Sequence, residues 1–180
     1  MDRPARGLDS FQQLSRRQRS RLITISALRM VASVALLLVL YAVFPVESIS
    51  STETLTRLIV GLAILALVIV LQLNAIKTAS YPQMRAIEAV VIAITVFIVL
   101  FALLYLGLAQ TNAANFTKPL NRVAAFYFTV TVLATVGFGD ISADSDVARL
   151  TVTVQMLLDL ILLAIIVRAF FAVAKSSGER

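Results

Sequence analysis

The chain has 180 residues, 59% of them hydrophobic and 14% charged, with 16 Lys and Arg against 10 Asp and Glu, for a formal net charge of +6. A soluble domain carries about 25% charged residues to cover its surface, so this balance excludes an ordinary soluble globule and a disordered chain and indicates an integral membrane protein. Cys and His are absent, which excludes disulfides, thiol chemistry, zinc sites built on those residues and histidine general bases.

A membrane-spanning helix needs roughly 20 apolar residues. Four stretches meet that length: Leu28 to Phe44, Leu58 to Ile76, Ile87 to Ala109 and Val147 to Val173. A shorter apolar run, Leu120 to Ala134, lies between the third and fourth and leads straight into TVGFGD. Its length suits a re-entrant segment better than a crossing. Pro82 marks the turn into the third helix, and Pro119 fits the first position of the short helix, where its missing N–H costs little. The first apolar run starts late and ends in FPVES without a small-residue cleavage site, so no cleavable signal peptide is expected.

Orientation follows the positive flanks. Arg3, Arg6, Arg16, Arg17, Arg19 and Arg21 precede the first span, Lys77 and Arg85 lie between the second and third, and Lys175 and Arg180 follow the fourth. Both termini are therefore expected in the cytoplasm of a multi-pass plasma-membrane protein, with the re-entrant segment entering from outside. Arg16, Arg17, Arg19 and Arg21 have two readings, the positive-inside signal itself and a contact with anionic lipid. The second span has only Arg57 at one end and lacks the repeated cations of a voltage sensor.

The residues that carry chemistry are Thr135-Val136-Gly137-Phe138-Gly139-Asp140. Two glycines at alternate positions allow backbone dihedrals closed to other residues, so that successive carbonyls can point to one side. Four such strands around an axis make rings of oxygens able to replace the water shell of a cation. Thr135 can add a ring of hydroxyls below them. The preceding helix aims its partly negative C-terminal end at the same place.

This pattern of helix, short helix, TVGFGD and helix resembles the tetrameric potassium-channel pore family. The resemblance covers roughly the C-terminal half, as Ile87 to Ala109, Pro119 to Ala134, Thr135 to Asp140 and Val147 to Val173. It implies an all-α membrane protein with four transmembrane helices per subunit, a pore helix and a selectivity filter, assembled as a homotetramer. It also implies that Thr135, Val136, Gly137, Phe138 and Gly139 coordinate K+, the transported ion, with no catalytic residue, no other metal and no cofactor. Tyr127 stands where relatives supply a donor to the residue matching Asp140, a brace for the filter, while the other reading of Asp140 is a charge that concentrates cations at the mouth. Phe138 and Ala134 depart from the commoner Tyr and Thr or Ser. The domain reading is 1–27 basic cytoplasmic segment, 28–80 two-helix region, 81–174 pore domain and 175–180 cytoplasmic tail.

Asp159 lies mid-helix, where an ionised group is costly and invites a functional reading. By resemblance it falls where many relatives carry a hinge glycine. One reading has its carboxylate at the cavity, influencing block or gating; the other has it anchored to Thr129 or Thr131. Leu163, one turn on, is a cavity candidate. Arg168, about 13 Å beyond Asp159, reads as a snorkelling or interface cation, or as an inner-gate charge. Gln155 reads as a hydrogen-bond partner on the face of Asp159. The function expected is passive, selective K+ conduction. The alternatives are a poorly selective cation channel, a non-conducting accessory subunit and, more remotely, a membrane enzyme.

Overall fold

The computed structural model describes residues 16–43, 82–178 and isolated helical residues between 56 and 74. In chain order the continuous elements are α1 (Arg16–Val43), α2 (Pro82–Thr111), a single 3-10 turn (Ala113–Asn115), α3 (Arg122–Leu133) and α4 (Asp146–Gly178). Among the described residues three helical stretches are long and apolar enough to cross a membrane: Ser20–Val43, Arg85–Thr111 and Asp146–Arg168. The 12-residue α3 is shorter. This is an all-α, multi-pass membrane protein with a short helix set between two spanning ones. The predicted span Leu58 to Ile76 lies outside the described residues, apart from the isolated helical ones.

Hydropathy places the helix ends less well than the helices. The first helix begins at Arg16 rather than Leu28, because Arg and Gln sustain a helix without adding to an apolar run. Residues 16–27 are thus continuous with the span. α2 and α4 likewise outrun their apolar stretches at both ends. Pro82 opens α2 as expected. Pro119 does not open α3, which starts at Arg122 behind Asn121. The Asn121 side chain accepts from the Ala124 N–H at 2.8 Å, satisfying a donor that the helix start leaves free.

The core is an aromatic cluster between α2, α3 and the loop that joins them. Tyr105, fully buried, meets Phe128 at 5.1 Å and Phe116 at 5.8 Å between ring centroids, both edge-on. Phe116 meets Phe128 at 5.7 Å. These edge-to-face contacts add to the burial of the rings themselves. The loop is pinned by the Asn115 amide, which donates to the Leu108 carbonyl at 2.7 Å. The Thr117 N–H donates to the Ser142 carbonyl at 3.0 Å, tying this loop to the segment that leads into α4.

α1 packs along α2 in parallel. Near one end the Arg29 guanidinium makes two bonds to the Glu88 carboxylate, at 2.6 and 2.5 Å. Near the other, Tyr41 joins Val99 and Ala102 in a second buried cluster and reaches α3. The Tyr41 hydroxyl donates to the Arg122 carbonyl at 2.6 Å. The two contacts are twelve residues apart on α1, about 18 Å at 1.5 Å per residue.

Candidate ion-conduction site

The segment Thr135–Asp140 begins where α3 ends, and its backbone hangs from the last turn of that helix. A helix end leaves its final carbonyls without partners. Here the Val132 carbonyl accepts from the Thr135 N–H at 2.9 Å. The Thr131 carbonyl accepts from Val136 at 3.0 Å and from Gly137 at 3.3 Å. Three consecutive amides of the segment are thereby directed back to α3. Among the described residues no carbonyl from 135 to 139 accepts a hydrogen bond.

The backbone alternates. Positive φ occurs at Thr135 (56°), Gly137 (51°) and Gly139 (76°), and at no residue between them. In an ordinary extended strand successive carbonyls point to opposite faces. Placing every second residue in the left-handed region turns that alternation off. Glycine meets this need at 137 and 139 without a side-chain penalty. Thr135 meets it against its preference, at a typical cost of about 1–3 kcal/mol. The two glycines were legible as the reason for an unusual backbone; the third left-handed position, carried by a threonine, was not.

Tyr127 and Asp140 lie together, with the phenol donating to a carboxylate oxygen at 3.2 Å. Desolvation, and then the bond to Asp140 and its charge, hold the Tyr127 hydroxyl above the ordinary phenol range. It therefore stays a proton donor at neutral pH. The Phe138 ring lies parallel to the Tyr127 ring at 6.4 Å, so the aromatic at 138 has a partner although it lacks a hydroxyl. Val136 and Phe138 are exposed on the single chain.

On α4 the buried face carries Ala148, Thr151, Val152, Gln155 and Asp159. Asp159 is the last buried residue among the described side chains of this helix; those from Leu160 to Arg168, Leu163 and Arg168 among them, are exposed or half-buried. The Asp159 carboxylate is not on an open side of the helix, as a cavity-lining group requires of the single chain. The anchor reading also lacks its bonds. The Thr129 hydroxyl donates to the Ala125 carbonyl and that of Thr131 to the Phe128 carbonyl. Neither Asp159 oxygen has a hydrogen-bond partner among the described residues.

The side chain that anchors α4 to α3 is Gln155, one turn before Asp159. Fully buried, its carbonyl oxygen accepts from the Tyr105 hydroxyl at 2.6 Å, and its amide nitrogen donates to the Thr129 carbonyl at 3.1 Å. Tyr105 went unmarked in the sequence because it sits among apolar residues of a spanning helix, where nothing local distinguishes a bonded phenol from a packed ring.

Spanning helix, short helix, a segment of free carbonyls and a second spanning helix together form a potassium-channel-like pore module. The family model for ion channels matches residues 86–176, just over half of the 180 residues. The chain belongs to the ion-channel family. Comparison with curated proteins and with solved structures returned no match. As a member of this family the chain is a non-enzymatic channel protein. Among the described residues no three His, Cys, Asp or Glu side chains group where they could hold a metal ion.

Proposed function

We propose that this ion-channel chain is one subunit of a potassium-selective channel. In it, four copies bring the carbonyls of Thr135, Val136, Gly137, Phe138 and Gly139 to a common axis, where they replace the hydration shell of K+. The observation that carries this reading is the alternation of left-handed backbone at 135, 137 and 139, with the amides of 135, 136 and 137 turned back to α3. It leaves the carbonyls of the segment available, and carbonyl oxygens suit a cation. Tyr127 and Asp140 brace the outer end of the segment. Leu163 and Arg168 belong to the exposed inner half of α4, which other copies or the cavity cover.

The parallel packing of α1 on α2 supports a fourth crossing. Arg29 meets Glu88 near the start of α2, whereas Tyr41 meets Arg122 at the start of α3. α1 therefore finishes on the side of the membrane where α3 begins, and α2 starts on the opposite side. The chain between them has to return across the bilayer, and residues 58–76 supply the apolar length. With both termini cytoplasmic in a plasma membrane, Arg16, Arg17, Arg19 and Arg21 lie at the anionic leaflet.

The experiment is a flux assay on purified protein in liposomes under a K+ gradient, with Gly137→Ala as control. K+ flux that exceeds Na+ flux and is abolished by Gly137→Ala is the expected result. Equal K+ and Na+ flux makes the chain a poorly selective cation channel. No flux from correctly inserted protein makes it an accessory subunit.

A further inference from the structure

We propose that Gln155 is a positioning residue for ion selection: its amide joins Tyr105 of α2 to Thr129 of α3 and so fixes the seat of the helix from which residues 135–137 hang. This rests on the filter reading above and adds to it a specificity-determining group outside the TVGFGD segment.

The argument starts from burial. Gln155, Tyr105 and Thr129 are each at most 1% exposed, at membrane depth. A primary amide without partners there costs several kcal/mol, so a glutamine is a poor choice for filling space alone. Both ends of this one are engaged, at 2.6 Å and 3.1 Å, and each engages a different helix. α2, α3 and α4 thus meet at a single side chain. Tyr105 is itself immobilised between Phe101, Phe116 and Phe128, so the strut has a fixed end.

The other end is placed where movement matters. The Thr129 carbonyl is two residues, about 3 Å of helix rise, from the Thr131 carbonyl that receives the Val136 and Gly137 amides. The last turn of α3 is therefore held from behind by Gln155 and loaded in front by the filter. A tilt of α3 moves the 135–137 backbone with it, because the three bonds that orient those residues all end on Thr131 and Val132. Discrimination between two alkali ions depends on the spacing and number of carbonyls around them, which is the quantity such a tilt changes.

A purely structural role predicts something different. Replacing both members of a buried hydrogen-bonded pair by apolar groups of the same shape is nearly neutral for stability. The test uses the full-length protein in planar bilayers with mixed K+ and Na+, reading reversal potentials, and heat denaturation of the same preparations. The variants are Tyr105→Phe, Gln155→Met and the two combined. The expected result is a combined variant that melts close to wild type and whose K+ over Na+ permeability ratio falls about tenfold, the scale of one buried hydrogen bond. Gln155→Met alone should match the combined variant in permeability ratio, because both bonds pass through one amide and the losses cannot add, but melt lower, because it leaves the buried Tyr105 hydroxyl without a partner. An unchanged permeability ratio in Tyr105→Phe and in the combined variant overturns the proposal. If Gln155→Met does not assemble, Tyr105→Phe decides by itself, since it removes one hydroxyl and little volume. A wild-type channel that does not select K+ overturns the filter reading instead, before any variant is compared.

Discussion

Tyr41 and Arg122 hold each other in both directions: the phenol donates to the Arg122 carbonyl at 2.6 Å, and the guanidinium donates to the Tyr41 carbonyl at 2.6 Å. The same guanidinium lies 6.0 Å from the centre of the Tyr41 ring. α1 is thereby fastened to the first residue of the short helix. Tyr41→Phe removes one of the two bonds and is expected to cost about 1 kcal/mol. Arg122→Ala removes the reciprocal bond and the ring contact and should cost more. Heat denaturation in one detergent measures both; equal melting temperatures for wild type and Arg122→Ala would mean that α1 is held by other contacts.

At the opposite end of α1, Glu88 is buried while its partner Arg29 is 42% exposed at the side chain. Arg85 adds a longer contact at 3.4 Å. Losing Arg29 leaves a buried carboxylate with only the weaker partner, whereas Glu88→Gln leaves a half-exposed cation that can reach headgroups or water. Arg29→Ala should therefore destabilise more than Glu88→Gln. Breaking fully buried pairs costs about 3–5 kcal/mol, and the exposure of Arg29 places this one below that range. A larger loss for Glu88→Gln in chemical denaturation would reverse the assignment.

Asp159 gives a prediction of opposite sign. A buried carboxylate whose oxygens have no partner opposes the fold. Asp159→Asn removes the charge and should raise the melting temperature. It should also leave rectification and block unchanged. Altered block in Asp159→Asn channels would bring the carboxylate to the conduction path.

Gly137→Ala separates backbone strain from steric clash. A Cβ built at Gly137 meets nothing within 4 Å, so the cost is that of holding φ +51° with a side chain, about 1–2 kcal/mol. The protein should still fold, with a modest drop in stability, while ion flux is lost. Loss of expression at the level of a core deletion would contradict this.

The Tyr127 to Asp140 bond carries a pH dependence. The phenol is raised above its usual range, so the folded state holds that proton more tightly than the unfolded state. The stabilisation is complete below about pH 10, the ordinary value for a phenol, and is lost as pH rises through the higher folded value. Activity that declines in alkali for wild type, and follows a different course in Tyr127→Phe, is the expected pattern. Identical alkaline profiles would assign the decline to another group.

The parts of this architecture visible in the sequence are those written in local pattern. The apolar lengths of α2 and α4, the shorter run of α3 and the paired glycines each follow from neighbouring residues. Helix ends were less visible, because Arg16 to Arg21 continue α1 without being apolar and Asn121, not Pro119, caps α3. The strut was hidden for a different reason. Gln155 is 26 residues from Thr129 and 50 from Tyr105, and helical periodicity tells which residues share a face, not what that face will meet. Asp159 shows the same limit: its depth was legible, its lack of a partner was not.

The stretch from Thr135 to Gly139 has its early donors turned inward and its oxygens left bare. Over its first three residues such a ribbon is electrically one-sided. Two of them brought face to face push each other apart, as like poles do, until something positive is set between them. On the proposed filter reading, the permeant ion is then more than cargo: it would act as mortar, and the event that loads the channel would also let its walls close.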